Sequence, residues 1–406
     1  MKPQLSELIQ IEAPIGPSLE SVIEGQCVPP FSDSTLIFAN LFSTYLLRDA
    51  EAKSRAELVA LAFWMRKRNT TQLRDDFLAR SQHSTLPRGL VFHIAPSNVD
   101  TVFIYSLFLS IFCGNRNIVR LSSTLNPQIA TILRVLNECL SECPAISERV
   151  LIVRYEHNDE ITAYYSQLCD MRVVWGGDET INRVRRFPLA PHAKELTFSD
   201  RFSLALIESK SYLDYEEKDQ LISSFCNDSF MFNQMACSSP RLVCWVSSDP
   251  ELTEKAQLDF WKRVQVHVEK HQPDISSAGL MDKYLSQCIY AVEVDGVVVK
   301  PTETQYVSRV QLPSAAHLER NLHKGNGLFL ELQLGGLREL TSVLHKKDQT
   351  LSVFGFSEKT LSEFIETTLP LGVDRIVPFG EALSFSSVWD GYDLLAELTR
   401  IVTLKV

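Results

Sequence analysis

Short runs of uninterrupted apolar residues take turns along most of this chain with longer stretches in which apolar side chains recur every three or four positions. Between residues 88 and 175 the pattern predicts strands at 89–94, 117–121, 150–153 and 171–175, separated by helices at 100–113, 128–140 and 159–168. A second alternating unit opens with Phe202-Ser203-Leu204-Ala205-Leu206-Ile207 and continues through a strand at 241–246 and a helix at 257–269. Such alternation specifies an α/β fold of doubly wound parallel sheets, because parallel strands need crossover helices that cover both faces. Ligands of these sheets sit at the carboxyl ends of the strands. Ahead of this region, Leu36, Phe38, Leu41, Phe42, Tyr45 and Leu46, then Leu58, Leu61, Ala62 and Trp64, recur at helical spacing. They predict a lead-in pair of helices over 35–70, closed by Arg66-Lys67-Arg68. The tail, Ile401-Val402-Thr403-Leu404-Lys405-Val406, reads as a strand.

Composition narrows the classes. Of 406 residues, 45% are hydrophobic and 22% charged, as in an ordinary globular protein with room for two full cores. A formal charge of -10 argues against nucleic acid as a partner, since a binder of the phosphate backbone carries a basic face. The nine cysteines are odd in number and scattered, and Met1-Lys2-Pro3-Gln4-Leu5-Ser6-Glu7 has no signal-peptide core. Reduced thiols in a cytoplasmic protein are therefore expected. Cys139 and Cys143 lie one helical turn apart without further Cys or His in ligand spacing, so no metal site is expected. The run 102–113 is shorter than the roughly 20 residues of a spanning helix, so a core helix and no integral membrane segment are expected.

Chemistry concentrates in Phe232-Asn233-Gln234-Met235-Ala236-Cys237-Ser238-Ser239-Pro240-Arg241, which sets one thiol among small and polar neighbours. That is the setting of a reactive cysteine, although a thiol taken alone is more often a small buried hydrophobe. A thiolate attacking an acyl carbonyl needs a donor for the oxyanion it creates. Asn98 offers a side-chain amide where the strand Phe92-His93-Ile94 ends in Ala95-Pro96-Ser97-Asn98, and it is equally placed to cap the following helix. Gly176-Gly177 separates a strand from a helix that begins with Asp178-Glu179, a turn in which backbone can approach a dinucleotide pyrophosphate. His93 and His192 are acid-base candidates, with packing as the more usual role of a histidine beside a strand.

In order along the chain, five pieces resemble the aldehyde dehydrogenase superfamily and, within it, the LuxC-type fatty acyl-CoA reductases. They are Ile94-Ala95-Pro96-Ser97-Asn98, Cys113-Gly114-Asn115-Arg116-Asn117-Ile118-Val119-Arg120, Trp175-Gly176-Gly177-Asp178-Glu179, Asn233-Gln234-Met235-Ala236-Cys237-Ser238-Ser239-Pro240 and Gly372-Val373-Asp374-Arg375-Ile376-Val377-Pro378-Phe379-Gly380-Glu381-Ala382-Leu383. The resemblance spans about residues 30–400 and implies an aldehyde dehydrogenase-like α/β fold. Two doubly wound open-sheet domains would hold the active site between them: 1–198, the nucleotide-binding domain with its helical lead-in, and 199–378, the catalytic thiol domain. Residues 379–406 would form a return segment. Cys237 takes the place of the family nucleophile and Asn98 that of the oxyanion-hole asparagine beside the Cys237 backbone N–H.

The resemblance also assigns cofactor contacts. Arg120 stands where the family commonly has a lysine touching the adenosine ribose, with Ser122 at the same strand end; Gly176 and Gly177 would approach the pyrophosphate. Where members that prefer NAD carry an acidic residue, this chain has Ser123, which leaves room for a 2′-phosphate paired with Arg120 and helped by Arg183 or Arg186. The expected cofactor is NADPH. Two departures matter. The glutamate that activates water in hydrolytic members aligns with Thr197, with Glu195 two residues away, and the Glu-x-Phe-Gly-Pro motif has no equivalent, 327–331 being too different.

The implied reaction is reduction of a long-chain fatty acyl thioester, acyl-CoA or acyl-protein, to fatty aldehyde through a cysteine-bound acyl-enzyme. An acyl-protein synthetase partner is compatible with the resemblance, as is a homo-oligomer. Two rival readings stay open: an aldehyde dehydrogenase working oxidatively with Glu195 as base, and a non-catalytic acyl-binding or scaffold subunit.

Overall fold

A computed structural model describes residues 7–16, 19–80, 83–96, 101–122 and 127–405; Asn98 and Ser123 lie outside the described residues. The chain divides into two units, one of residues 1–200 with 385–406 and one of residues 201–384.

The first unit is a six-stranded sheet of β1 (Gln10–Ala13), β2 (Leu90–Ile94), β3 (Arg116–Leu121), β4 (Val150–Arg154), β5 (Met171–Trp175) and β6 (Lys194–Phe198). Their order is β1-β4-β3-β2-β5-β6, with β1 antiparallel to β4 and the other pairs parallel. Every residue of β2, β4 and β5 is buried, which explains why these strands read as unbroken apolar runs. Val91, Val119, Ile152 and Val173 point into one core with α1 (Asp33–Arg48), α2 (Val102–Phe112) and α3 (Pro127–Glu142). Phe92, Ile118, Leu151 and Val174 point the other way, toward α4 (Asp159–Leu168) and α5 (Asp178–Val184). The chain winds outward from β2 through β3 to β4 and then returns to β5 on the far side of β2. That reversal marks the crevice where such sheets bind ligands.

The lead-in differs from the expected helix pair. Asp49 ends α1 and caps a short helix (Ala50–Lys53), Arg55 opens another (Ala56–Trp64), and 66–68, read as a closing charge cluster, lead into a further helix, Lys67–Arg80. That last helix buries only Thr70 and Phe77, so it lacks an apolar stripe to read. The tail strand is Thr399–Val402, two residues earlier than expected, paired antiparallel with Ser84–Pro87. Leu394, Leu395 and Leu398 enter the core of the first unit. Among the described residues no helix is long and apolar enough to cross a membrane.

The second unit is a seven-stranded sheet of β7 (Phe202–Glu208), β8 (Pro240–Val246), β9 (Val298–Lys300), β10 (Ser308–Gln311), β11 (Leu328–Leu334), β12 (Asp348–Phe354) and β13 (Arg375–Pro378). The order is β9-β10-β11-β8-β7-β12-β13, and only the β9–β10 pair is antiparallel. On one face Phe260, Trp261 and Val264 of α7 (Pro250–His271) join Phe225 of α6 (Lys218–Phe230). On the other, Tyr290 of α8 (Ser277–Glu293) and Phe364 of α9 (Glu358–Thr368) pack on Leu242, Leu330 and Leu351. Glu331, fully buried in β11, is paired with Arg309 at 2.8 Å and accepts the indole N–H of Trp245 (3.0 Å) and Trp261 (2.7 Å). All of its neighbours are spent on holding a charge in the core, so it serves the fold.

Candidate active site

The nucleophile candidate lies in the second unit, in the turns that join α6 to β8. Asn233 (φ 49°) and Gln234 (φ 59°) are consecutive left-handed residues that reverse the chain after α6. Their strain is offset by bonds from the Gln234 side chain, which is wholly buried. Its Nε2 donates to the carbonyls of Pro240 (3.0 Å) and Leu328 (2.9 Å), and its Oε1 accepts the Gly327 N–H (2.8 Å). Arg241 donates to the Gln234 carbonyl (2.9 Å), and Ser203 Oγ in β7 donates to the Cys237 carbonyl (2.6 Å). The backbone around Cys237 is thus pinned to β7, β8 and the start of β11.

Cys237 is half-buried, whereas Cys113, Cys139, Cys169, Cys226 and Cys244 are buried. Burial pushes the Cys139 and Cys169 thiols up to about 12 and those of Cys113, Cys226 and Cys244 upward as well, so these five are inert near neutrality. None of the nine cysteines is in a disulfide. Asp228, on the last turn of α6, accepts the N–H groups of Gly380 (2.8 Å) and Ala382 (3.1 Å). Burial raises its carboxyl to about 7, against the smaller opposing pull of those two amides.

Folded Asp228 therefore holds a proton that the unfolded chain gives up near pH 4, so its contribution to stability is complete below that pH and is lost as pH rises through about 7. Asp228→Asn is expected to flatten the fall in unfolding free energy between pH 5 and pH 8, read by urea unfolding at each pH; an unchanged slope would assign it to other groups.

In the first unit, a cavity of about 760 Å³ opens at the carboxyl ends of the strands, lined by Ile94, Arg120, the start of α4 and much of α5. Arg120 reaches it from the end of β3, its guanidinium 5.1 Å from the Tyr155 ring centroid. Its Nε is buried with no hydrogen-bond partner among the described residues, and burial lowers its pKa. Arg183, also lining the cavity, is paired with Asp159 at 2.6 Å, while Arg186 has no side-chain partner among the described residues. The volume and a buried, under-partnered guanidinium suit an anionic ligand of mononucleotide size. Sequence reading named the three arginines but missed Asn158, Thr162, Thr180 and Asn182, polar helix residues whose only signal is proximity in the fold.

The remaining candidates are placed as follows. Ser122 receives Arg154 on its carbonyl. A Cβ on Gly176 would stand 3.1 Å from the Thr180 side chain, and one on Gly177 2.9 Å from Asp200 Oδ2. Both glycines thus answer a need for space, Gly177 having an ordinary φ of -61°. Asp200 also accepts the Asp178 N–H at 3.2 Å, so a carboxylate already stands at the start of α5. His93 is buried between Ser106 (2.8 Å) and Asn117 (3.1 Å), and burial pushes its imidazole down to about 4. His192 is exposed beside Asp170 at 3.4 Å. Glu195 gives one carboxylate oxygen to Arg172 and the other to Arg185, each at 2.9 Å, and Arg185 also reaches Thr197 Oγ1 (3.4 Å). Among the described residues no group of three or more His, Cys, Asp or Glu is placed to hold a metal ion.

The fold is that of aldehyde dehydrogenases. An NADP-dependent glyceraldehyde-3-phosphate dehydrogenase from Bacillus halodurans, solved with NADP, superposes with a TM-score of 0.66 at 13% identity, over 94% of this chain and 88% of that one. A 1-pyrroline-5-carboxylate dehydrogenase mutant from Thermus thermophilus gives 0.66 at 13% identity, over 94% and 82%. An NAD-dependent benzaldehyde dehydrogenase from Corynebacterium glutamicum gives 0.62 at 11%, over 91% and 84%. No curated protein matches the chain in sequence. Two open sheets, one with the thiol turn and the other with the cavity at its strand ends, are the parts of that fold. Within it the acyl-CoA reductase (LuxC) family model matches residues 48–275, and the chain belongs to that family.

Proposed function

We propose that the protein reduces long-chain fatty acyl thioesters, acyl-CoA or acyl-protein, to fatty aldehydes with NADPH, through an acyl group carried on Cys237. The observation that carries this reading is the pinned turn that sets the half-buried thiol of Cys237, one of four half-buried thiols, among small polar residues. The Cys237 thiolate attacks the thioester carbonyl and expels CoA as its thiol, leaving an acyl-enzyme. The Cys237 N–H and the Asn98 side chain are the proposed donors to the oxyanion. The nicotinamide nucleotide, when bound, supplies the hydride. Collapse of the Cys237 thiohemiacetal then frees the aldehyde and restores the thiol.

Reduction needs no water-activating base, and Glu195, the base of the oxidative alternative, is held by two guanidinium groups. In this reading residues 1–198 bind the nucleotide, residues 199–378 carry the thiol and 379–406 return the chain. Arg120 and Arg186, with Ser122 and Ser123, are proposed to receive the ribose 2′-phosphate, and Gly176-Gly177 to border the pyrophosphate. The Bacillus halodurans enzyme of the same fold was solved with NADP, which is in keeping with a nucleotide of this kind.

The test is to mix the protein with a long-chain acyl-CoA and NADPH, follow nicotinamide absorbance and weigh the intact protein. Turnover together with transient acylation of Cys237 supports the reductase. A stable acyl adduct without NADPH oxidation would leave a carrier, and neither signal would leave a scaffold. For the cofactor, Arg120→Ala is expected to lower the NADPH/NADH ratio of kcat/KM by about tenfold or more, the size of one lost charge-assisted contact. Ser123→Glu should reverse or erase the preference; a wild-type ratio favouring NADH would overturn the assignment.

A further inference from the structure

Two arginines stand side by side at the amino ends of β3 and β4, and among the described residues no carboxylate pairs with either. Asn117 is opposite Val150 across these strands and its N–H donates to the Arg149 carbonyl (2.8 Å), so Arg116 and Arg149 are direct neighbours. They share the face of Ile118 and Leu151, two residues further along each chain. Arg116 donates through Nη1 to the carbonyls of Val22 and Ile23 on the short helix Leu19–Glu24, while its Nε is buried without a bond. Arg149 is 4% exposed; its Nε donates to the Ala145 carbonyl (2.8 Å), and both Nη1 and Nη2 are buried with no partner among the described residues. Buried polar groups are ordinarily paired, and neighbouring cations call for an anion. The nearest acid that the fold supplies is a thiol. Cys27, half-buried, donates its Sγ–H to the Gly89 carbonyl (3.7 Å), the same oxygen that accepts the Arg116 N–H (3.0 Å). Two residues earlier, a Cβ on Gly25 would stand 3.7 Å from Arg116 Cδ and 3.5 Å from the Glu148 carbonyl, so this segment lies across both arginines. Burial lowers the Arg149 pKa, and the charge of Cys27 opposes that fall. Of the other half-buried thiols, Cys143 is pushed up by burial with the Glu142 carboxylate adding to it, and Cys288 bonds to Tyr284.

We infer that Cys27 is a second reactive thiol, oxidised reversibly by hydroperoxides, with the unpartnered Nη groups of Arg149 as donors to the peroxide oxygens and then to the sulfenate that results. A part-exposed thiol beside arginine is the setting of cysteines that oxidise in this way. The Cys27 sulfur, its proton passed to water, attacks the near oxygen of the hydroperoxide, and an S–O bond forms as the O–O bond breaks. Sulfur gives up two electrons; the far oxygen leaves as alkoxide or hydroxide and takes a proton from solvent. Negative charge moves onto that oxygen as the bond breaks, and N–H donors already fixed in place stabilise it there. A small thiol reverses the step. Its first equivalent forms a mixed disulfide with Cys27 and releases water, and the second releases the small disulfide and restores the Cys27 thiol. The amino ends of these strands lie opposite the carboxyl ends where the cavity opens, so this chemistry stands apart from the proposed nucleotide and acyl roles.

The full chain, carrying Cys237→Ser so that the proposed nucleophile does not compete, is treated with hydrogen peroxide in the presence of dimedone, which traps sulfenic acids. Adducts are then quantified at each cysteine by peptide mass spectrometry. Cys27 is expected to gain the adduct about tenfold or more faster than Cys143 and Cys288, the other half-buried thiols left in that chain. Arg149→Met is expected to slow labelling of Cys27 by about tenfold or more, the scale of one lost oxyanion donor, and Arg149→Lys to recover part of the rate. Far-ultraviolet spectra and urea unfolding establish that each variant is folded, and the comparison among the three thiols needs no arginine variant. Protein oxidised first and then reduced with dithiothreitol should gain no adduct. Cys27 labelled no faster than Cys143 and Cys288, or at a rate that folded Arg149→Met leaves unchanged, overturns the inference. A Cys27 inert to peroxide, together with binding of inorganic phosphate that Arg149→Met loses, would hand the arginine pair to a bound anion instead.

Discussion

Replacing Cys237 by serine is expected to lower acyl-CoA turnover by about 10³-fold or more while leaving the fold and nucleotide binding intact. A serine hydroxyl has no usable ionised fraction near neutrality without a dedicated base. The only buried imidazole of the first unit's described strands, His93, is engaged by Ser106 and Asn117, and in the second unit His323 is held by the Leu328 carbonyl and the Gly325 N–H. Burial pushes His323 down to about 3, with the nearby Arg241 adding to the effect, so it is held in a packing role. The measurement is single-turnover acylation by intact mass beside steady-state NADPH oxidation. Turnover within tenfold of wild type would move the nucleophile elsewhere.

Replacing Gln234 by alanine is expected to cost about 2–4 kcal/mol of folding stability and to slow acylation with it. Three buried backbone groups, the carbonyls of Pro240 and Leu328 and the N–H of Gly327, lose their partner together, and each unsatisfied group carries a desolvation penalty of about 1–3 kcal/mol before relaxation. The same bonds hold two left-handed residues immediately before the thiol, so the loosened turn no longer presents Cys237 in one place. Gln234→Glu separates the terms, since it keeps an acceptor for Gly327 and removes both donors. Urea unfolding gives the stability change, and the rate of acyl-enzyme formation under conditions where the variant is folded gives the catalytic one. A variant that loses stability but acylates at the wild-type rate would confine Gln234 to the fold.

What could be read from the sequence followed from how each strand is covered. Strands β2, β4 and β5 are enclosed on both faces and declare themselves as apolar runs. Strand β6 was not visible in that way: at the sheet margin its Lys194 is exposed and Glu195 is ion-paired, so only Leu196 and Phe198 are buried. Strand β12 hides for the opposite reason, since Asp348, Gln349, Thr350 and Ser352 are buried, with partners far along the chain for two of them, Arg320 for Asp348 and Ser203 for the Thr350 N–H. Helix α8 carries its apolar stripe on the exposed side, so its pattern does not point to its own core.

The site was legible where a local motif carries the chemistry. Cys237 and Arg120 are distinctive in their own segments. Ser203 is not, because it acts on the Cys237 carbonyl, which only the sheet order brings close.

The pairing of Thr399–Val402 with Ser84–Pro87, and the entry of Leu394, Leu395 and Leu398 into the first unit's core, make the second unit an insertion within the first. Synthesis runs from the amino end, so the opening 200 residues leave the ribosome with a strand edge unpaired and a leucine-sized gap in their core. The thiol-bearing unit, contiguous from 201 to 384, has all its strands before that gap is filled. Of the two units, the one whose synthesis starts earlier is therefore completed later.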